Sequence, residues 1–188
     1  MRSFLPAILV AGLIGCDSGS SSPNQRTPDA TPLPPPSVTV EEVRGEALDA
    51  AIAKHKDKVV VVDLWATWCE TCVKKFPHFV SMHKKYADKG LVCISVGMEK
   101  LTQSSYAKGG KERVLDYLKK QEAAFPNFIV LEPEKDEVSL TKRLGNGYRL
   151  IPLMIVFDKA GRKVWNSDDG PAMTDAQLDK MVEDLLAK

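Results

Sequence analysis

An excess of charge of one sign is missing from this chain of 188 residues: 26 basic side chains stand against 25 acidic ones, a formal +1 at pH 7. With no strongly basic stretch either, nucleic acid has no electrostatic footprint to bind. Long apolar runs are absent as well, since the longest falls short of the ~20 residues a membrane-spanning helix needs. Histidine is scarce, with three in all, and the four cysteines include a single Cys-x-x-Cys pair. A closed zinc site takes four ligands. Here a second Cys-x-x-Cys or a Cys-x-x-His is missing, and His78 and His83 would stand ~140° apart on a helix. Met98, Met154 and Met173 are scattered and form no copper-binding motif. No internal repeat is visible. What remains, at 44% hydrophobic residues, supplies one folded domain of ordinary size plus a tail.

The tail is at the N-terminus. "MRSFLPAILVAGLIGC" has a basic start at Arg2, an apolar run from Phe4 to Ile14 and small residues before Cys16, the layout of a secretory signal. Leu13, Ile14, Gly15 and Cys16 resemble the bacterial lipobox, and that resemblance implies a diacylglyceryl-modified Cys16 as the new N-terminus. A complete match over four positions outweighs an ordinary cleaved signal that ends near a cysteine. Acylation adds ~0.8 kcal/mol per buried methylene, so several chains anchor stably. Residues 1–15 are then a lipoprotein signal peptide. Residues 16–37, rich in Ser, Pro and Thr, form a tether with too few apolar groups to build a core. Residues 38–188 are the domain.

Within that domain, strand and helix signals alternate. "SVTVEEV" reads as a short strand and "GEALDAAIAKHK" as a helix; "KVVVVDLWA" is a β-branched run suited to a central strand buried on both faces. "CETCVKKFPHFVSMHKKYADKG" reads as a helix ended by Gly90, with Phe76, Phe79, Val80 and His83 or Tyr86 inward. "LVCISV" and "NFIVL" are further strands, separated by the helix "KERVLDYLKKQEAAF", and "DEVSLTKRLG" is a short helix. "PLMIVFDKAGRKVWN" is a hairpin with a four-residue loop, Asp158 to Gly161, and Thr174 caps a last helix. The order implies an α/β sandwich with a mixed sheet.

Cys69 and Cys72 carry the chemistry. At the start of a helix, unpaired N–H groups and the positive dipole end favour a thiolate at Cys69, and such settings lower a cysteine pKa from ~8.5 towards ~3.5–7.5. Cys72, one turn further in, lies on the same face within bonding reach and more deeply buried. A purely structural disulfide is the weaker reading, because so short a loop constrains little chain entropy. Cys93, inside an apolar strand, reads as an inert core thiol, Trp65 as core, and the lysines at 74, 75, 84 and 85 as a solvated helix face.

"VDLWATWCETC" resembles the active-site segment of thioredoxins, and "WATWCETCVKKFP" is closer still to membrane-anchored thiol:disulfide oxidoreductases of the TlpA/ResA type. The resemblance runs over residues 38–188. It implies a thioredoxin fold, a central mixed β-sheet flanked by helices, with the strand-helix insertion of that group between Gly97 and Glu132. It sets Asp63 at the buried acid beneath the cysteines, Pro77 at the proline of the active-site helix, and Pro152 after Ile151 at the cis-proline facing the disulfide. Two departures stand out. Glu70-Thr71 replaces a dipeptide that ends in proline in most members, and Lys75 stands where the ResA-type proteins carry glutamate, while Asp63 stands where they often carry asparagine.

The mechanism implied is exchange: Cys69 attacks a disulfide, and Cys72, deprotonated with help from Asp63, resolves the mixed disulfide. The competing role for Asp63 is a solvated aspartate at a strand end. Trp68, Glu70, Thr71, Ile151 and Pro152 would bind substrate, with Ile151 pairing to an extended segment. No cofactor is expected beyond the Cys69–Cys72 disulfide, and no metal. The partners implied are protein dithiols and disulfides, a membrane electron donor, and the membrane itself through Cys16, in a bacterial cell envelope facing the periplasm or exterior. Glu70, adding negative charge beside Cys69, leans towards a reductant, and the resemblance suggests apocytochrome c among the substrates. The rival reading is a tethered thioredoxin-fold binding or assembly module without redox turnover; a copper-delivery protein would need a longer cysteine spacing and a partnered histidine.

Overall fold

The computed structural model describes residues 37–102 and 110–188. The signal, the lipidation at Cys16 and nearly all of the tether lie outside these residues. A six-stranded sheet forms the centre. In chain order the elements are β1 (Glu41–Val43), α1 (Gly45–Ala53), β2 (Val59–Trp65), α2 (Glu70–Tyr86), β3 (Leu91–Gly97), α3 (Gly110–Lys120), β4 (Asn127–Val130), α4 (Glu137–Leu144), β5 (Leu153–Phe157), β6 (Lys163–Asn166) and α5 (Asp175–Leu186). The strands lie in the order β1-β4-β3-β2-β5-β6. β1, β4, β3 and β2 run parallel; β5 is antiparallel to β2, and β6 is antiparallel to β5. The sheet is therefore mixed, as the sequence pattern implies.

β2 is buried at all seven positions, because helices cover both faces. One face carries Val59, Val61 and Trp65, packed with Phe76 and Phe79 of α2 and Leu178 and Val182 of α5. The other carries Val60, Val62 and Leu64 against Leu48 and Ile52 of α1 and Leu140 and Leu144 of α4. A strand alternates its side chains, so an uninterrupted β-branched run is what a strand between two helical layers requires. Asp63 falls between Val61 and Trp65 and so belongs to the α2 face.

The insertion supplies β4, which lies between β1 and β3 and extends the sheet. Asn127 fixes that edge: its Oδ1 accepts from Ser95 Oγ at 2.7 Å, and its amide donates to the carbonyls of Phe125 at 2.6 Å and Thr39 at 3.1 Å. The entry to α1 is held by Asp136, which accepts from the Gly45 N–H at 2.9 Å. A Cβ on Gly45 would approach the Asp136 Cβ to 2.9 Å, so a side chain there would push the cap away.

α5 opens with the expected cap and a reciprocal partner: Gln177 N–H donates to Thr174 Oγ1 at 3.3 Å, and Thr174 N–H to Gln177 Oε1 at 2.9 Å. The last strand pair departs from expectation. Arg162 also lies outside the strands, so five residues rather than four separate β5 from β6. The cause is Asp158, whose Oδ1 accepts from the Ala160 and Arg162 N–H groups at 3.0 and 2.9 Å, together with a register shift at Val156/Phe157. In α2, Met82 joins the buried stripe and Tyr86 takes the innermost end position, while His83 packs edge-on against Phe125 at 5.1 Å.

Candidate active site

The chain leaves β2 at Trp65, crosses Ala66, Thr67 and Trp68, and enters α2 with Cys69 as its N-cap in extended conformation, φ −90° and ψ 100°. The turn is closed by Cys69 N–H donating to the Ala66 carbonyl at 3.1 Å. Cys69 and Cys72 form a disulfide, with Cα atoms 5.2 Å apart. The Cys72 N–H donates to Cys69 Sγ at 3.2 Å, so one of the first-turn N–H groups of the helix points at that sulfur. Cys69 is half-buried and Cys72 only 1% exposed. One sulfur thus belongs to a half-buried residue at the helix N-terminus; the other is covered.

Around them, Glu70 and Thr71 are exposed. The Glu70 carboxylate accepts from Lys74 Nζ at 2.6 Å, so its charge is partly matched along the helix rather than directed wholly at Cys69. Trp68 is 39% exposed and its indole N–H donates to the Glu99 carbonyl at 3.4 Å. Trp65 is core, its ring tilted against Phe76 at 4.7 Å and against Tyr117 at 5.0 Å. The Ile151–Pro152 peptide is cis. Ile151 packs against both halves of the core. Leu150, which precedes it, is 66% exposed, an apolar side chain that the sequence pattern does not single out.

Asp63 is buried on the face of β2 that α2 covers, the side where Cys72 packs. Burial pushes its carboxyl up to about 7, while the Lys75 ammonium pulls it back down. A cavity of about 170 Å³ adjoins it, walled among others by Lys75, His78, Pro152, Met154 and Trp165. Asp63's charge acts in turn on Cys93 and Tyr117: burial first, and this carboxylate second, push the Cys93 thiol up strongly and the Tyr117 phenol to about 12. Asp63 and Cys72 thus lie on the same side of β2, and burial brings the carboxyl towards neutrality. Among the described residues, no group of three or more His, Cys, Asp and Glu side chains is arranged to hold a metal ion.

Sequence reasoning misses the support behind this turn. Glu99 is fully buried just after β3. Its carboxylate accepts from the Thr67 N–H, from Thr67 Oγ1 at 3.0 Å and from Arg113 of α3 at 3.1 Å. A glutamate two residues past a buried strand carries no spacing signal; only the tertiary fold brings it under the turn.

A family profile described as Redoxin matches residues 24–185. The chain is 29% identical over 75 residues to the thiol-disulfide oxidoreductase ResA of Bacillus subtilis strain 168, covering 39% of this chain and 41% of that one. It is 23% identical over 110 residues to ResA of Geobacillus kaustophilus, covering 57% and 62%. The aligned part thus spans less than two thirds of these relatives' length. Among solved structures, a thiol:disulfide interchange protein of the thioredoxin family from Chlorobium tepidum superposes with a TM-score of 0.57 at 22% identity, over 71% of this chain and 83% of that one. The shared architecture is the thioredoxin-like fold: a mixed sheet flanked by helices.

Proposed function

The chain belongs to the Redoxin family, and from that premise we propose that it is a protein thiol:disulfide oxidoreductase that works by exchange at Cys69 and Cys72. The observation that carries this reading is the asymmetry of the pair: a half-buried cysteine at a helix N-terminus, bonded to a covered one. In the reducing direction, the Cys69 thiolate attacks a substrate disulfide, whose S–S bond breaks to release one thiolate and leave a mixed disulfide. Cys72 gives its proton to the Asp63 carboxylate, attacks Cys69 Sγ and releases the second substrate thiolate. Two electrons have passed to the substrate, and the protein holds the Cys69–Cys72 disulfide. A dithiol donor then resets it.

Trp68, Leu150 and Ile151 offer apolar and backbone contacts to an extended substrate segment, and Glu70 and Thr71 border the attacking sulfur. The setting we propose is extracytoplasmic, with the domain tethered to a bacterial membrane by lipid on Cys16 and electrons supplied by a membrane protein. Among the described residues no helix is long and apolar enough to cross a membrane. Reduction is favoured over oxidation, with apocytochrome c among the substrates on the resemblance of segment 65–77. Insulin reduction with dithiothreitol tests the activity: the protein should accelerate precipitation of the insulin B chain and Cys69→Ser should not. No acceleration by the wild type would leave a tethered binding module.

A further inference from the structure

Lys75 is a basic residue of the active-site helix α2, and the fold gives it a place. It lies three residues after Cys72 on α2, where i and i+3 share a face, and it lines the cavity that reaches Asp63. A lysine in such a position keeps its ammonium in water while its methylene stem covers apolar surface. Lys74, one residue earlier, is tied to Glu70 at 2.6 Å and belongs to a different part of the helix surface.

The other groups around the acid do not substitute for it. From α2 and α5 the cavity is also walled by His78 and Asp175. The His78 ring lies 3.0 Å from Asp179 and 3.7 Å from Asp175, so its polar contacts run to α5 and not to Asp63. From β3 and α3, Cys93 and Tyr117 stay protonated at neutral pH, held there by burial and by Asp63 itself. From β5, the strand partner of Asp63 is Met154, which is uncharged. Lys75 is the wall cation whose charge acts on the carboxyl, and it favours the ionised form.

We infer that Lys75 is a positioning residue for the resolving step: its ammonium at the Asp63 cavity sets the pH range over which Asp63 can take the Cys72 proton. This rests on the reading of Asp63 as proton acceptor. Only ionised Asp63 can accept, and below its midpoint the ionised fraction falls tenfold per pH unit. A cation at the cavity therefore keeps the exchange cycle running at lower pH than burial alone would allow. The side chain is exposed, so its replacement leaves the core packing intact.

Two measurements on the whole chain test this. In the oxidised protein, the Asp63 carboxyl carbon is titrated by NMR. Its midpoint should move to higher pH in Lys75→Gln and Lys75→Met and return to the wild-type value in Lys75→Arg. In the second, a mixed disulfide between Cys69 and a small thiol is prepared, and release of that thiol by Cys72 is followed against pH. The release profile should shift upward in Lys75→Gln, and the same substitution should be silent in an Asp63→Asn background. An unchanged Asp63 midpoint in Lys75→Gln, or a shift that persists without Asp63, overturns the role of Lys75 while leaving Asp63 as base. A release profile that Asp63→Asn does not alter overturns the base reading and this inference with it.

Discussion

Glu99 and Arg113 form an ion pair at 3.1 Å, with the glutamate fully buried and 34% of the arginine side chain exposed. Through Glu99 the pair also holds Thr67, two residues before the reactive cysteine, so α3 of the insertion braces the active-site turn. Removing one partner of a fully buried pair costs ~3–5 kcal/mol. Because Arg113 keeps part of its side chain in water, Glu99→Ala should cost about 2–4 kcal/mol. Urea unfolding measures it; a loss below about 1 kcal/mol would mean that water replaces the carboxylate without penalty.

Asp63 makes folding stability depend on pH in a definite direction. Burial raises its carboxyl from 3.8 to about 7, so between these values the folded chain holds a proton that the unfolded chain has released. The stability linked to that proton is complete below the unfolded value and is lost as pH climbs through the folded one. Asp63→Asn, neutral throughout, should therefore gain on the wild type by up to roughly 4 kcal/mol between pH 4 and pH 8. Urea unfolding of the oxidised proteins at both pH values checks this, and an equal difference at the two would contradict it.

Cys93 should be chemically silent in the native state. It is fully buried in β3, and burial drives its thiol far above the ordinary range; thiols react as thiolates. Brief alkylation of the reduced native protein at neutral pH should label Cys69 first, with Cys93 modified only in denaturant. Peptide mass mapping reads the order. Labelling of Cys93 at a rate comparable to Cys69 would contradict the burial argument.

The elements whose signals are local were legible in the sequence. The β-branched run of β2, the cysteine at the start of α2, the cap at Thr174 and the hairpin each carry their pattern within a few residues. The fold's strand order is a different matter. β1 pairs with β4 through contacts such as Glu41 with Phe128, and no local pattern encodes a partner so far along the chain. The extra hairpin residue escaped for a related reason, because it depends on what the Asp158 carboxylate chooses to bind. At the site, Cys69 and Cys72 announce themselves by spacing and Asp63 through the resemblance of its segment to the thioredoxin active site. Glu99 and Leu150 do not: one matters through a distant turn, the other through exposure created by the fold.

Trapping of the mixed disulfide tests the central claim most directly. The Cys72→Ser and Cys69→Ser variants, each reduced, are incubated with a disulfide-bonded protein and resolved by intact mass under non-reducing conditions. The account predicts a covalent adduct at Cys69 in Cys72→Ser and none in Cys69→Ser, which should also lack turnover. An adduct on Cys72, or wild-type turnover by Cys69→Ser, would contradict the assignment of attacker and resolver.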